Sequence, residues 1–198
     1  MPNHITNRLV IKGEKEEVNK VLHFIKIEKE YDEEINGIGT IDFNKITPMP
    51  KWIYGSSPDV HGISTIDEEK YGKENTCIAW ARKNWGTKWN AYSQPDDRNT
   101  ENTIYFQTAW KGIPELIQKI AWIFPNVEIE YSWCDEDFGY NLGRYRFKDT
   151  EILEEYLPDG GSKDAYELGL EIEQCKPEEK YMRFNHEIDN YEYFDDEE

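Results

Sequence analysis

Cysteine, histidine and long apolar runs are all scarce in this chain, and each scarcity excludes a class of protein. The 3 cysteines lie far apart, lack the paired spacing of a zinc site, and are too few for an iron–sulfur cluster, which needs about four ligands. The 4 histidines show no ligand spacing either. No apolar stretch approaches the roughly 20 residues that cross a bilayer, and no secretory leader opens the chain. We therefore expect a cytoplasmic protein with no metal, no cofactor and no membrane partner.

The motifs of common catalytic sites are also missing. The chain has no Gly-x-Ser-x-Gly elbow, no glycine-rich phosphate loop and no cysteine beside a histidine. Pairs of carboxylates for acid–base chemistry could be chosen anywhere among 41 acidic residues, so no particular pair is indicated. The sequence assigns no catalytic residue and favours a protein that is not an enzyme.

Acidic residues are in excess, and the excess is uneven along the chain. There are 41 Asp and Glu against 23 Lys and Arg, which gives a formal net charge of -18. Most of the imbalance follows Thr150, where acids far outnumber bases. Affinity for nucleic acid depends on Lys and Arg that release counterions from phosphates, so we expect no direct binding of nucleic acid. The charge favours a partner protein with a basic surface, and solubility alone is the competing explanation.

Apolar periodicity predicts an α+β fold in the first 150 residues. Strands are predicted at about 5–11, 38–43, 87–92, 103–110, 127–133 and 141–147, and helices at about 14–25 and 114–124. This order is close to the split βαβ arrangement of ferredoxin-like folds, an antiparallel sheet with helices on one face. Residues near 51–84 lack periodicity and indicate an insertion, with room for a short helix around 77–84.

The character of the chain changes after Thr150. We expect residues 1–150 to form the ferredoxin-like domain and 151–198 an acidic C-terminal extension. Ser162 is placed to cap a helix that runs to about Cys175. The tail beyond it mixes acids with aromatic residues, a composition that favours disorder until a partner binds. The residues expected to contact the partner are Tyr156, Tyr166, Glu187, Asp189, Tyr191, Glu192, Tyr193, Phe194, Asp195 and Asp196.

Several sequence blocks between Met1 and Lys148 resemble one known family. The blocks are Met1–Leu9, Phe43–Pro50, Asn84–Ala91, Phe106–Trp110, Asp135–Gly139 and Gly143–Tyr145. In content and order they are similar to the YubB-type ferredoxin-like domain family. The resemblance implies a ferredoxin-like chain topology and a small protein of plasmids, phages or other mobile elements. It implies no established activity and no iron–sulfur cluster, because the name refers to topology alone.

A cluster of aromatic and polar residues is the candidate ligand site. Aromatic faces beside Lys and Asn suit a planar, nucleotide-like ligand. The residues of this candidate site are Trp85, Lys88, Trp89, Asn90, Trp110 and Asp135. The competing interpretation is that the indoles fill the core, as large aromatics commonly do. Asp135–Asp137 with Asp42 offers oxygen ligands for Mg²⁺ or Mn²⁺, but we favour an acidic turn in solvent, because such turns are common in a chain with this many acids.

Two functional hypotheses follow. The leading one is a non-enzymatic accessory protein of a phage or mobile element that binds a host protein through its acidic surface. By mimicking nucleic acid it would inhibit a nucleic-acid-handling or defence protein. The alternative is a small-ligand or nucleotide-binding domain, with metal-assisted hydrolysis as one use, centred on Trp85–Asn90.

Overall fold

The central feature of the fold is a five-stranded antiparallel sheet in the order β2-β1-β3-β4-β5. The computed structural model describes residues 2–28, 37–51, 53, 69–70 and 72–194. Residues 52, 54–68 and 71 of the predicted insertion, and the predicted partner residues Asp195 and Asp196, lie outside the described residues.

Strand β1 (His4–Lys12) lies inside the sheet and alternates between its two faces. Helix α1 (Lys15–Ile25) follows, with Glu16 and Glu17 in its first turn, where carboxylates favour the positive end of the helix dipole. The buried residues of α1 are Val18, Val21, Leu22 and Ile25. They are the apolar stripe that the periodicity predicts, so this part of the prediction is confirmed.

The split βαβ unit is formed by β2 (Thr103–Ala109), α4 (Pro114–Ile123) and β3 (Glu128–Asp135). Both strands run antiparallel to β1, which lies between them, so they are parallel to each other and joined by α4. Strands β4 (Gly143–Lys148) and β5 (Glu151–Tyr156) extend the sheet beyond β3. The α+β architecture with an antiparallel sheet is therefore confirmed.

Two predicted strands are wrong. Residues 38–43 form a turn and the start of a short helix, α2 (Phe43–Ile46), whose N-terminus is capped by the Asp42 carboxylate. Residues 87–92 contribute one isolated bridge, Tyr92 with Gln107, at the outer edge of β2. In both segments side chains hydrogen-bond to the backbone groups that a strand ladder would use, which is how Asn and Asp compete with regular structure. The short helix predicted near 77–84 is confirmed as α3 (Cys77–Asn84).

The main core lies on the sheet face that packs against α1, α2 and α4. Consecutive residues of a strand point to opposite faces, so Leu9 belongs to this core while Arg8 lies on the other face. The other face is covered in part by α5 (Lys163–Glu173), whose Leu168 and Ile172 pack with Cys134. The helices of the predicted domain share one face of the sheet, and α5, from the predicted extension, covers the other, since β3 offers a buried side chain to each face.

The segment after Thr150 is part of the same folded body. It supplies β5 to the sheet and α5 to the second face, and Ser162 caps α5 as predicted. Strands β6 (Met182–Asn185) and β7 (Asn190–Tyr193) then form a hairpin. Met182 is fully buried with Phe138 and Tyr166. The expectation of a disordered tail is wrong up to Phe194, because its aromatic residues find partners within the chain.

Candidate functional site

Trp85 belongs to the main core. Its side chain is only 4% exposed, and its ring packs edge-on against Phe43. The indole Nε1 donates a hydrogen bond to the Thr47 carbonyl at 2.8 Å. The ring and the polar edge of this indole are thus engaged mainly by the protein itself.

Asn90 ties its own segment to the start of α2. Its side-chain oxygen accepts from the backbone N–H of Phe43 and of Ala91, each at 2.9 Å. Its side-chain nitrogen donates to Asp42 Oδ1 at 2.7 Å. Two of these hydrogen bonds hold backbone and the third holds the Asp42 side chain, so Asn90 has a positioning role in the folded chain.

The Asp135 carboxylate is buried, with 5% exposure, and is satisfied by neighbouring groups. It accepts from Asn3 Nδ2 at 3.1 Å, from the Asp137 N–H at 3.0 Å and from Asn141 Nδ2 at 2.6 Å. Within the described ranges no three His, Cys, Asp or Glu side chains are grouped so that they could hold a metal ion. Asp135 therefore acts as a hub between the N-terminus and the loop after β3.

Lys88 and Trp89 lie at the surface of the same segment. The Lys88 ammonium stands 3.8 Å from the centre of the Trp89 ring, which itself meets the Tyr92 ring edge-on. Tyr92 hydrogen-bonds with His4 Nδ1 at 2.8 Å, and burial raises its pKa to about 12. Burial lowers the pKa of Lys88, and the charge of Arg82 lowers it further. Lys88 thus faces another cation.

Two adjoining cavities of about 360 Å³ and 350 Å³ lie between α3 and the connection from β2 to α4. We call them together the basic groove. The residues that line it are Arg82, Lys83, Asn84, Trp85, Gly86, Thr87, Lys88, Ala109, Trp110, Lys111, Glu115, Leu116 and Lys119. Five of these side chains are cations and one is a carboxylate. Three of the predicted ligand residues, Trp85, Lys88 and Trp110, therefore meet here, whereas Asn90, Asp135 and Trp89 do not line the groove.

The Trp110 side chain is 50% exposed and its backbone has φ +78°. A bulky residue rarely adopts this left-handed conformation. The backbone is held by hydrogen bonds on both sides: its N–H donates to the Asn3 carbonyl and its carbonyl accepts from Asn141 Nδ2, each at 3.0 Å. The indole is thus presented to the groove by a rigid, strained turn.

A buried polar network fixes the rest of this connection. Thr108 Oγ1 donates to the Lys111 carbonyl at 2.9 Å, and the Ile113 N–H donates to the Tyr131 hydroxyl at 2.8 Å. That hydroxyl donates in turn to Asn7 Oδ1 at 2.5 Å. The Ile113, Tyr131 and Asn7 groups are buried, so this network stabilises the backbone that follows Trp110 and Lys111.

Most of the residues predicted to bind a partner contact their own chain. Tyr166 is buried, and Tyr191 packs against its ring. The Tyr193 hydroxyl donates to the Phe138 carbonyl at 3.3 Å. The remaining predicted residues divide into three groups: Asp189 and Glu192 in ion pairs with Lys163 and Arg183, Tyr156 and Phe194 half-buried, and Glu187 exposed.

A different acidic surface lies along β5. Its carboxylates are Glu151, Glu154 and Glu155 on β5 and Asp164, Glu167 and Glu171 on α5, and we call this surface the acidic edge. Two guanidinium groups, Arg144 and Arg146, pair with Glu154 at 3.2 and 3.4 Å. Among these acids lie three aliphatic side chains with exposures of 52%, 44% and 51%: Ile152, Leu153 and Leu157.

The sequence reasoning missed both surfaces for the same reason. The cations of the basic groove come from α3, the loop after it, the connection to α4 and α4 itself, so no stretch of sequence is visibly basic. The acidic edge combines a strand and a helix separated by a turn. The exposed apolar triplet Ile152, Leu153 and Leu157 was the one local signal that could have indicated it.

The comparisons with known proteins agree with the fold. Residues 88–185 match the family model described as a ferredoxin-like domain in Api92-like protein. This segment runs from Lys88 in the basic groove past Thr150 into β6, and it contains a ferredoxin-like domain. No curated protein and no solved structure matches the chain. In the part of the chain that the structure describes, every helix is too short or too polar to span a bilayer.

Proposed function

We propose that the protein is a non-enzymatic interaction module that binds a basic partner protein along the acidic edge. The observation that carries this proposal is the position of β5. It is the last strand of the sheet, and no described strand pairs with its outer edge. The exposed Ile152, Leu153 and Leu157 lie on or next to this strand.

An unpaired edge strand is a template for an additional strand. Natural proteins usually protect such edges with lysines, prolines or bulges, because the free N–H and C=O groups recruit other chains. Here Pro158 follows the strand and a register shift lies between Arg146 and Phe147, but β5 itself carries no lysine. Main-chain hydrogen bonds would supply affinity, and pockets for alternate side chains would supply specificity.

The charge of the edge selects the partner. Its carboxylates outnumber the guanidinium groups of Arg144 and Arg146, so a segment rich in Lys or Arg is the complementary occupant. Electrostatic complementarity of this kind mainly raises the rate of encounter and rejects acidic competitors. The exposed aliphatic side chains would then provide the apolar contact that holds the complex.

The resemblance to YubB-type proteins of phages and mobile elements suggests the biological setting of the proposed interaction. In a YubB-type protein of a phage or mobile element, acting in the cytoplasm, the partner would be a host protein. A basic surface that normally receives nucleic acid would be occupied by the acidic edge, and a nucleic-acid-handling or defence protein would be inhibited by this mimicry. The net charge of -18 supports this form of the proposal.

The test compares charge variants of the edge as baits. Glu151→Lys/Glu155→Lys reverses two exposed edge charges, and Glu16→Lys/Glu101→Lys makes the same change in charge at exposed positions away from β5. We expect the wild type and the control to retain one basic partner from host lysate at low salt, and the edge variant to lose it. Equal capture by all three baits would contradict the proposal.

A further inference from the structure

We propose that the basic groove binds a nucleotide, with the phosphates on its cations and the base against the Trp110 indole. This site is independent of the acidic edge, and its ligand differs in charge from the partner proposed there.

The basic groove carries positive charge that neighbouring carboxylates do not neutralise. The chain has 6 arginines, all described; five of them each contact a carboxylate, whereas Arg82 makes no ion pair with any described residue. Lys83, Lys88 and Lys111 likewise make no ion pair with any described residue. In a protein with 41 acids, a cluster of cations that make no ion pair with a described residue, beside the single groove carboxylate Glu115, is suited to accept an anion.

Trp110 supplies an exposed aromatic ring on a strained backbone. Glycine would adopt φ +78° without strain, yet the position carries the largest side chain and leaves it half exposed. Strained backbone of this kind persists only where surrounding bonds hold it, and it clusters at ligand sites. It is held here by the hydrogen bond that the Trp110 N–H donates to the Asn3 carbonyl and by the one that Asn141 Nδ2 donates to the Trp110 carbonyl. The result is a flat aromatic surface beside the cations.

The chemistry of the lining residues identifies the ligand class. A guanidinium fork and ammonium groups suit phosphate oxygens, and an exposed indole suits the face of a base. Each cavity of the groove falls within the range of about 300–1,000 Å³ that is usual for small-ligand sites. The shared chemistry is that of a nucleotide, which could be supplied free or as a unit of a single strand.

The carboxylates of β5 are too far away to cancel the positive potential of the basic groove. The groove lies beside β2, and the Glu151, Glu154 and Glu155 carboxylates lie on β5, at the opposite end of the sheet order. Four strand spacings separate them, about 19 Å at roughly 4.8 Å each. The Debye length at physiological ionic strength is about 8 Å, so a bound phosphate responds mainly to the groove.

The test is calorimetric titration of the full chain at physiological ionic strength with ATP, tripolyphosphate, adenosine and a ten-residue oligothymidylate. The variants are Arg82→Gln/Lys111→Gln and Trp110→Leu. Lys148→Gln is the matched control, because Lys148 ends β4 beside Glu128, which pairs with Lys12 at the far end of β1. Urea unfolding of each variant verifies that it is folded.

We expect ATP to bind the wild type and the Lys148→Gln control alike. Arg82→Gln/Lys111→Gln should weaken both ATP and tripolyphosphate by about tenfold or more, because charged hydrogen bonds are lost. Trp110→Leu should weaken ATP about fivefold and leave tripolyphosphate unchanged, because only the base contact is removed. Tighter binding of the oligonucleotide than of ATP would assign a strand as the source, and the reverse a free nucleotide. Absence of ATP binding, or equal binding by all variants, would overturn the proposal.

Discussion

Asn7 shows how much one residue decides in this fold. It is a fully buried amide at the centre of the sheet, and it donates to the Ile5 and Phe106 carbonyls and to Thr108 Oγ1 while accepting from Tyr131. Burial raises the pKa of Tyr131, so this phenol stays protonated and keeps donating. The amide therefore satisfies several groups that would otherwise be buried without partners.

Replacement of Asn7 should be expensive. We expect Asn7→Leu to lower the free energy of unfolding by about 2–4 kcal/mol, because several buried polar groups lose their partner at once. Urea unfolding measures this loss, and Asn19→Leu on the exposed side of α1 is the control. A loss below about 1 kcal/mol for Asn7→Leu would show that the network is not a source of stability.

The two tryptophans of the basic groove should respond in opposite ways to truncation. Trp85→Ala should cost about 3–5 kcal/mol, since it empties a site in the main core. Trp110→Gly should cost less than about 1 kcal/mol, because relief of the strained φ offsets the lost contacts of a half-exposed ring. Unfolding midpoints of the two variants provide the measurement. Equal losses would mean that Trp110 is held for stability rather than presented for binding.

At the residue scale, the sequence identified the important residues more accurately than it identified their roles. The period of two placed Asn7 on the same strand face as Leu9, which is correct. It could not reveal that the partner is Tyr131, far away along the chain. The same holds for Trp85 and Trp110, which look alike in sequence although one is core and the other is exposed.

Among the elements, α5 is attached to the sheet by ion pairs as well as by its apolar side. Its Glu171 pairs with Arg8 at 2.9 Å and its Glu173 with Arg98 at 3.2 Å. Arg98 also holds Asp96 at 2.8 Å and lies 4.3 Å from the centre of the Tyr105 ring. Some acids of the C-terminal segment are therefore neutralised by ion pairs within the fold.

The Arg98 pair gives a dependence of stability on pH. The hydrogen bond from Arg98 lowers the pKa of Asp96 below its ordinary value of 3.8. A carboxylate with a lowered folded-state pKa contributes stability above its unfolded pKa, and this contribution is lost as pH falls through the folded one. Arg98→Gln should therefore be less stable than the wild type at pH 7, with a difference that shrinks below about pH 3.8. Urea midpoints at both pH values test this, and a constant difference would contradict it.

The C-terminal hairpin should be a stabilising element. It buries Met182 against Phe138 and Tyr166, and Gly139 (φ +88°) leaves room for the Tyr166 ring, which a Cβ at that position would strike. A chain ending at Tyr181 should lose about 2 kcal/mol or more of unfolding free energy, with a chain ending at Phe194 as the control. Identical thermal midpoints for the two chains would show that the hairpin adds nothing.

The strength of side-chain alternation decided which elements were predictable. Strands with a clear period of two, such as β1 and β3, were found nearly to the residue. Residues 87–92 alternate as well, but their side chains bond to other segments. The Asn90 side chain accepts from the Phe43 N–H at the start of α2, and the Tyr92 hydroxyl donates to the Thr108 carbonyl. The hairpin at 182–193 was not predicted, because its acidic composition indicated disorder more strongly than its aromatic residues indicated a packed structure.

At the scale of the whole molecule, charge is segregated rather than spread. The net charge of -18 conceals a group of cations without ion pairs beside β2 and an acidic edge along β5. The sum of charges along the sequence argued against any phosphate contact, because it could not show that cations from four segments converge. The fold was largely predictable from the sequence, whereas the basic groove depends on contacts between distant segments.

The most direct test of the acidic edge is site-specific photo-cross-linking. p-Benzoylphenylalanine would replace Leu153 on the exposed side of β5, with Asn19 on α1 as the control position. After irradiation in host lysate, mass spectrometry would identify the cross-linked peptide. We predict a single basic partner captured from position 153 alone, through a Lys- or Arg-rich segment, with a yield that falls as salt rises. Cross-links of equal yield from both positions, or none from position 153, would contradict the account.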